Sequence, residues 1–168
     1  MNTLPLKRFR EVNWQALAMF ALGFWLSASL LIDCVIIPGL LSAGMMEEAG
    51  FAGASYIIFG AFNHIELLSA ALVLASILTI KYRQEFVIKI DKSVVIASCL
   101  LAIALIYTYL ITPQMSALGM SLNEFNGTGL LAGSMSRMHV VYWLLEGSKL
   151  VLGTVLLSKL YRNSCSLV

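Results

Sequence analysis

Residues 138–159, MHVVYWLLEGSKLVLGTVLLSK, decide the architecture. The stretch matches the about 20 apolar residues that cross a bilayer as a helix, yet it carries His139, Glu146 and Lys149. His139, Tyr142, Glu146, Lys149 and Gly153 recur at steps of three and four, the spacing of one helix face. An ionised group at mid-membrane costs about 2.5–3.5 kcal/mol on insertion scales, so this face must look inward and its charges must find partners on other helices. Such a helix requires a bundle around it.

Three further apolar runs supply one. They cover about residues 14–43, 51–80 and 93–112, with 138–159 as the fourth. The first has Asp33 as its only charge, Ser29 one turn earlier, and Pro38 near its far end. It is too long for a signal-peptide core and leads into no small-residue cleavage site, so it reads as a retained helix. The second contains Asn63, His64 and Glu66. The third is apolar apart from small hydroxyls, Cys99 and two tyrosines, and is predicted to stop at Pro113, which lacks the amide hydrogen an interior turn needs.

Composition agrees. Of the 168 residues 60% are hydrophobic and 12% charged, with mean hydropathy +0.87, against roughly 25% charged in a soluble domain. That excludes a soluble enzyme, a disordered tail and a nucleic-acid-binding module. Continuous apolar runs, rather than short alternating ones, exclude a β-barrel. The expected fold is all-α: a four-transmembrane-helix bundle, with residues 1–168 forming a single membrane-embedded helical domain.

Lys7, Arg8, Arg10, Lys81, Arg83, Lys89, Lys92, Lys159 and Arg162, nine of the eleven basic residues, fall on one side of these spans. Arg137 alone lies opposite, beside Glu47, Glu48 and Glu124. The positive-inside rule then places both termini in the cytoplasm, in a plasma, inner or thylakoid membrane. Cys34, Cys99 and Cys165 are an odd number without CxxC spacing and suggest neither a disulfide framework nor a zinc site.

Sliding the chain on itself by 75 positions sets Pro38 on Pro113, Gly44 on Gly119, Met45 on Met120 and His64 on His139. Identity elsewhere at this offset is poor. The pattern suggests two tandem helical hairpins related by an axis along the membrane normal. The chain's two histidines would then lie at similar depth, toward the outer surface.

Two readings of the polar residues stay open. Asp33, Asn63, Glu66, Tyr142, Glu146 and Lys149 could form a buried network that fixes helix register, or mark a proton, ion or cofactor site, the default for intramembrane charges. Six of the eight methionines (Met45, Met46, Met115, Met120, Met135 and Met138) belong to the outer loops or outermost turns. Thioethers with imidazoles suit a soft cation, which makes His64, His139, Met45, Met120 and Met138 a candidate copper set. Methionine is also adaptable packing. Alternatively, His64 and His139 could bind haem or a chlorin as axial ligands in a slot formed by Gly147, Gly153, Ala61, Ala70 and Ala71. Each histidine could instead simply bond to Asp33 or a carbonyl. Trp14, Trp25 and Trp143 suit interfacial or lipid-facing packing, and Arg137 an interfacial anchor.

The stretches IDCVIIPGLL, AGFAGASYIIFGAFNHIE, ITPQMSAL and SRMHVVYWLLEGSKL carry a resemblance. Over about residues 23–161 the chain resembles the transmembrane protein 205-like family, small four-helix membrane proteins with a domain of unknown function. That family's last helix typically opens with an aromatic or apolar residue, a histidine and then a small or polar residue, which maps onto Met138, His139 and the following turn. Its usual asparagine one or two turns later is replaced here by Glu146. The resemblance implies a four-helix membrane protein linked to metal or toxic-compound tolerance. The functional expectation is a non-enzymatic accessory or copper-handling protein, with a haem- or chlorin-binding redox or assembly protein as the alternative. Its expected partners are membrane lipid and a membrane protein or second copy, with no nucleic acid.

Overall fold

A computed structural model describes residues 12–45, 48, 50–85, 91–124 and 129–165. Lys7, Arg8, Arg10, Met46, Glu47 and Lys89 lie outside the described residues. The chain is all-α. Helix α1 (Trp14–Leu31), a π-helical turn (Ile32–Ile36) and α2 (Ile37–Ser42) make the first span, and α3 (Phe51–Glu85) the second. The third span is α4 (Lys92–Ile106), a second π-helical turn (Tyr107–Ile111) and α5 (Thr112–Glu124), and the fourth is α6 (Gly129–Cys165). Four helical stretches are long and apolar enough to cross a membrane. Large apolar side chains such as Phe20, Ile57, Leu68, Leu144 and Val151 point outward, where only lipid makes their exposure tolerable.

Local signals fix the helix starts. The side chain of Asn13 accepts from the Ala16 amide at the head of α1, and that of Asp91 accepts from the Ser93 amide at the head of α4. Asp91 also pairs with Lys81 at 2.8 Å and lies 3.6 Å from Lys159, tying α3, α4 and α6 together at one end of the bundle. The Lys81 ammonium holds the Asp91 carboxyl well below the usual carboxylate range.

The prolines do not end their helices. Pro113 was expected to stop the third span near residue 112, but the helix runs through it to Glu124, and Pro38 likewise sits inside helix that continues to Ser42. The reason is the π-helical turn immediately before each. The Ile37 amide reaches back to the Ile32 carbonyl and the Thr112 amide to the Tyr107 carbonyl, each spanning five residues instead of four. A widened turn accommodates a proline ring that a regular α-turn would drive into the carbonyl four residues earlier. The two π-turns are 75 positions apart (107 minus 32), so the offset seen in the sequence recurs in backbone geometry. It lapses further on: Gly44 leaves the helix at φ +70°, whereas its counterpart Gly119 remains within α5.

Each span packs on two neighbours in a square, one–two, two–three, three–four and four–one. The half near Asp91 is tightly closed. Ala18, Ala21, Leu22, Ala70, Val73, Ala97, Leu100, Ala104 and Leu156 fill it, small residues letting backbones approach as membrane helices require. Trp25 is 1% exposed and belongs to this core, which corrects the expectation that it faces lipid or the interface. Its indole N–H has a buried partner, described below, that costs less than an unpaired donor in hydrocarbon.

Gly153 on α6 lies against the Leu26 side chain of α1. A Cβ there would sit 2.6 Å from Leu26 Cδ2 and 3.3 Å from Leu26 Cγ. Because the first obstacle is the end of a flexible side chain, Gly153→Ala should cost no more than about 1 kcal/mol. Gly153→Leu has no such escape and should cost about 1–3 kcal/mol through overpacking. Thermal unfolding in mild detergent measures both, and equal melting of the two variants would contradict this packing.

Candidate functional site

Where the closed half ends, all four spans contribute to one cluster. Lys149 Nζ on α6 lies 2.6 Å from Glu66 Oε1 on α3, across the bundle, and 2.7 Å from Glu146 Oε2 one turn back on its own helix. The side chains of all three are 2% exposed. Glu66 Oε1 also accepts from Trp25 Nε1 at 2.8 Å and from Ser29 Oγ at 3.0 Å, both on α1. Tyr107, from the second π-turn, donates its hydroxyl to Glu146 Oε2 at 3.0 Å, and the Lys149 ammonium stands 5.3 Å from the Tyr107 ring centre, close enough for a cation–π contact. Tyr142 donates to Asp33 Oδ1 at 2.7 Å, joining α6 to the first π-turn.

The two π-turns therefore have a structural consequence beyond housing prolines. Asp33 belongs to one and Tyr107 to the other, and both side chains are buried. Inserting an extra residue into a turn rephases the helix, a device often found at functional sites.

Above this floor the spans part and leave a cavity of about 330 Å³, at the small end of the range that ligand pockets occupy. Its walls include Ile37, Phe51, Phe59, Phe62, Met115 and Trp143, and its floor is Asn63, Glu66, Tyr107, Glu146 and Lys149. Asn63 Nδ2 donates to Thr112 Oγ1 at 2.5 Å. Glu146 Oε1 and Asp33 Oδ2 are buried and accept from no donor among the described residues; the two carboxyl groups lie within hydrogen-bonding reach of each other.

The structure brings Asp33, Glu66, Tyr142, Glu146 and Lys149 into one connected set, with Asn63 on the same cavity floor. It treats the imidazole and thioether residues differently. His139 lines the cavity, while His64 is absent from its lining. Both rings are exposed, and each donates Nδ1–H to the carbonyl four residues back on its own helix, His64 to Gly60 at 2.7 Å and His139 to Met135 at 3.0 Å. Nε2 is left as the free acceptor in each. Met45 and Met120 are exposed, Met138 is half-buried, and none of the three lines the cavity, whereas Met115 and Met135 do. No group of three or more His, Cys, Asp or Glu residues with metal-binding geometry occurs among the described residues.

Three participants escaped the sequence reading. Tyr107 looked like one of two equivalent tyrosines in an apolar run, Trp25 like an interfacial anchor, and Thr112 like a small hydroxyl. Tyr107 and Tyr109 differ by two positions, which on a helix sends them to different faces. Only the spacing of Trp25, Ser29 and Asp33 at steps of four, one helix face, hinted that all three look inward.

Comparison of the chain with protein-family models, with curated proteins and with solved structures finds no match.

Lys149 pairs with two carboxylates at once, so removing it leaves both without their counter-ion. Lys149→Met should destabilise the bundle by about 3–5 kcal/mol, the range for breaking one side of a buried ion pair. The double variant Glu66→Gln/Lys149→Met should recover part of that loss. Unfolding titrations in mixed detergent measure the cycle, and strict additivity of the two single changes would contradict the direct contact.

Proposed function

We propose that this chain is a membrane-embedded binding protein for an amphiphilic small molecule, whose apolar body occupies the cavity and whose polar end meets the floor. The observation that carries this reading is the Glu146 carboxyl at the base of an otherwise largely apolar pocket, whose Oε1 has no donor and only the Asp33 carboxyl beside it. A network serving helix register alone gains nothing from an idle carboxylate oxygen, because burying one unpaired is costly. A ligand that enters from the lipid and donates a hydrogen bond relieves that cost. This accords with the link to metal or toxic-compound tolerance that the resemblance to the transmembrane protein 205-like family implies. The basic residues at the Asp91 end favour a cytoplasmic position for that end, with the cavity toward the opposite leaflet.

A second reading retains the soft metal. The free Nε2 of His139 stands at a cavity that Met115 and Met135 also line, a donor combination that suits Cu(I). It uses His139 without His64, Met45, Met120 or Met138. The bis-imidazole haem or chlorin reading draws no support from this geometry, since His64 is outside the cavity lining.

Filling the cavity tests the proposal. Ser116 is half-buried and lines it, so Ser116→Phe should occupy the space without touching the ionic floor. A panel of apolar amphiphiles should raise the melting temperature of the wild-type protein by mass action and leave that of Ser116→Phe unchanged. Equal responses from both would overturn the cavity as the binding site. Cu(I) competition on the wild type and on His139→Ala decides the second reading, and uptake unchanged by that substitution would remove it.

A further inference from the structure

The charge balance of the floor specifies the head of the ligand. Two carboxyl groups of the floor, Glu66 and Glu146, share one ammonium, Lys149; a third, Asp33, lies against Glu146 outside the cavity lining, and the other titratable groups facing them are the phenols Tyr107 and Tyr142, with His139 on the cavity wall. They come from four parts of the fold: Asp33 from the first π-turn, Glu66 from α3, Tyr107 from the second π-turn, and His139, Tyr142, Glu146 and Lys149 from α6. Two of the three N–H donors of Lys149 go to Glu66 and Glu146. Acidic groups are in excess, for Glu146 Oε1 and Asp33 Oδ2 receive no donor and their carboxyls lie against each other.

We infer that the cavity takes a lipophilic amine in its protonated form, an apolar body bearing an ammonium group that docks at the Glu146 carboxyl. This inference rests on the amphiphile-binding reading above and narrows it to one class of head group. A cation supplies both things the floor lacks, a hydrogen-bond donor and positive charge, where a neutral donor would supply only the first. An anionic head would meet surplus carboxyls in a low-dielectric setting and be rejected. The walls suit the same ligand. Phe59, Phe62, Tyr107, Tyr142 and Trp143 all line the cavity, and aromatic faces stabilise cations that have left water. Lys149 over Tyr107 already uses one such face for the internal ammonium.

Three probes with the same body and different heads test the inference on the intact wild-type chain in nanodiscs of zwitterionic lipid: phenylbutylammonium, phenylbutanol and phenylpentanoate. Isothermal titration should rank them in that order, the ammonium binding about tenfold or more tightly than the alcohol, which corresponds to one strong charge contact. Ser116→Phe should abolish binding of all three, and Glu146→Gln should bring ammonium and alcohol to similar affinity. Equal affinity of ammonium and alcohol for the wild type, or tightest binding of the carboxylate, would overturn the cationic head while leaving the cavity reading intact. Binding of none of the three would overturn both. The wild-type ranking decides the matter even if Glu146→Gln does not fold.

Discussion

A single ammonium inside the bundle, Lys149, is shared between carboxylates on two helices, and the rest of the structure is arranged around that constraint. Charges of this kind are stable in a membrane protein only where partners are close and lipid is far. The closed half of the bundle meets the second requirement with alanines and small aliphatics that bring the helices together. Trp25, Ser29, Tyr107 and Tyr142 then meet the hydrogen-bonding needs that one lysine cannot. What they leave unmet lies on the cavity side, which is why the same cluster reads both as the keystone of the fold and as the floor of a site.

The two halves of the chain solve one problem alike and another differently. Each carries a proline late in its first helix, and each accommodates it with a π-turn at the corresponding position. Each also turns its histidine onto its own backbone four residues back. Yet the polar residues are not repeated. The positions 75 after Glu66 and 75 before Lys149 are Val141 and Leu74, both apolar. The backbone frame is thus pseudo-symmetric, while the charged cluster draws on each half for different parts. The first pair of spans offers Glu66 with its donors Trp25 and Ser29, and the second offers Lys149 together with Glu146 and Tyr107.

Much of this was legible in the sequence, and the limits are physical. Helical spacing of Tyr142, Glu146 and Lys149, together with the cost of a bare charge in lipid, demanded an inward polar face and partners such as Glu66. The four spans followed from length and apolarity. Proline rules misjudged the third span because they describe a regular α-turn, and a single inserted residue changes which carbonyl the ring confronts. Trp25 was misread because indole serves both interfaces and cores, and only a buried acceptor distinguishes them. The pairing of histidines at equivalent positions was a true feature of the repeat, but equivalent position says nothing of which way a ring points. The cavity itself was invisible to periodicity, since it arises from where helices separate.

Distance measurement by solid-state NMR tests the central claim most directly. With labelled Lys149 Nζ and glutamate carboxyl carbons in lipid bilayers, rotational-echo dephasing should report two close carboxyl carbons on the one ammonium, and Glu66→Ala should remove one of them while the other persists. A Lys149 nitrogen with no near carboxyl carbon, or with a single one that is unaffected by Glu66→Ala, would contradict the shared ammonium and with it the charged floor.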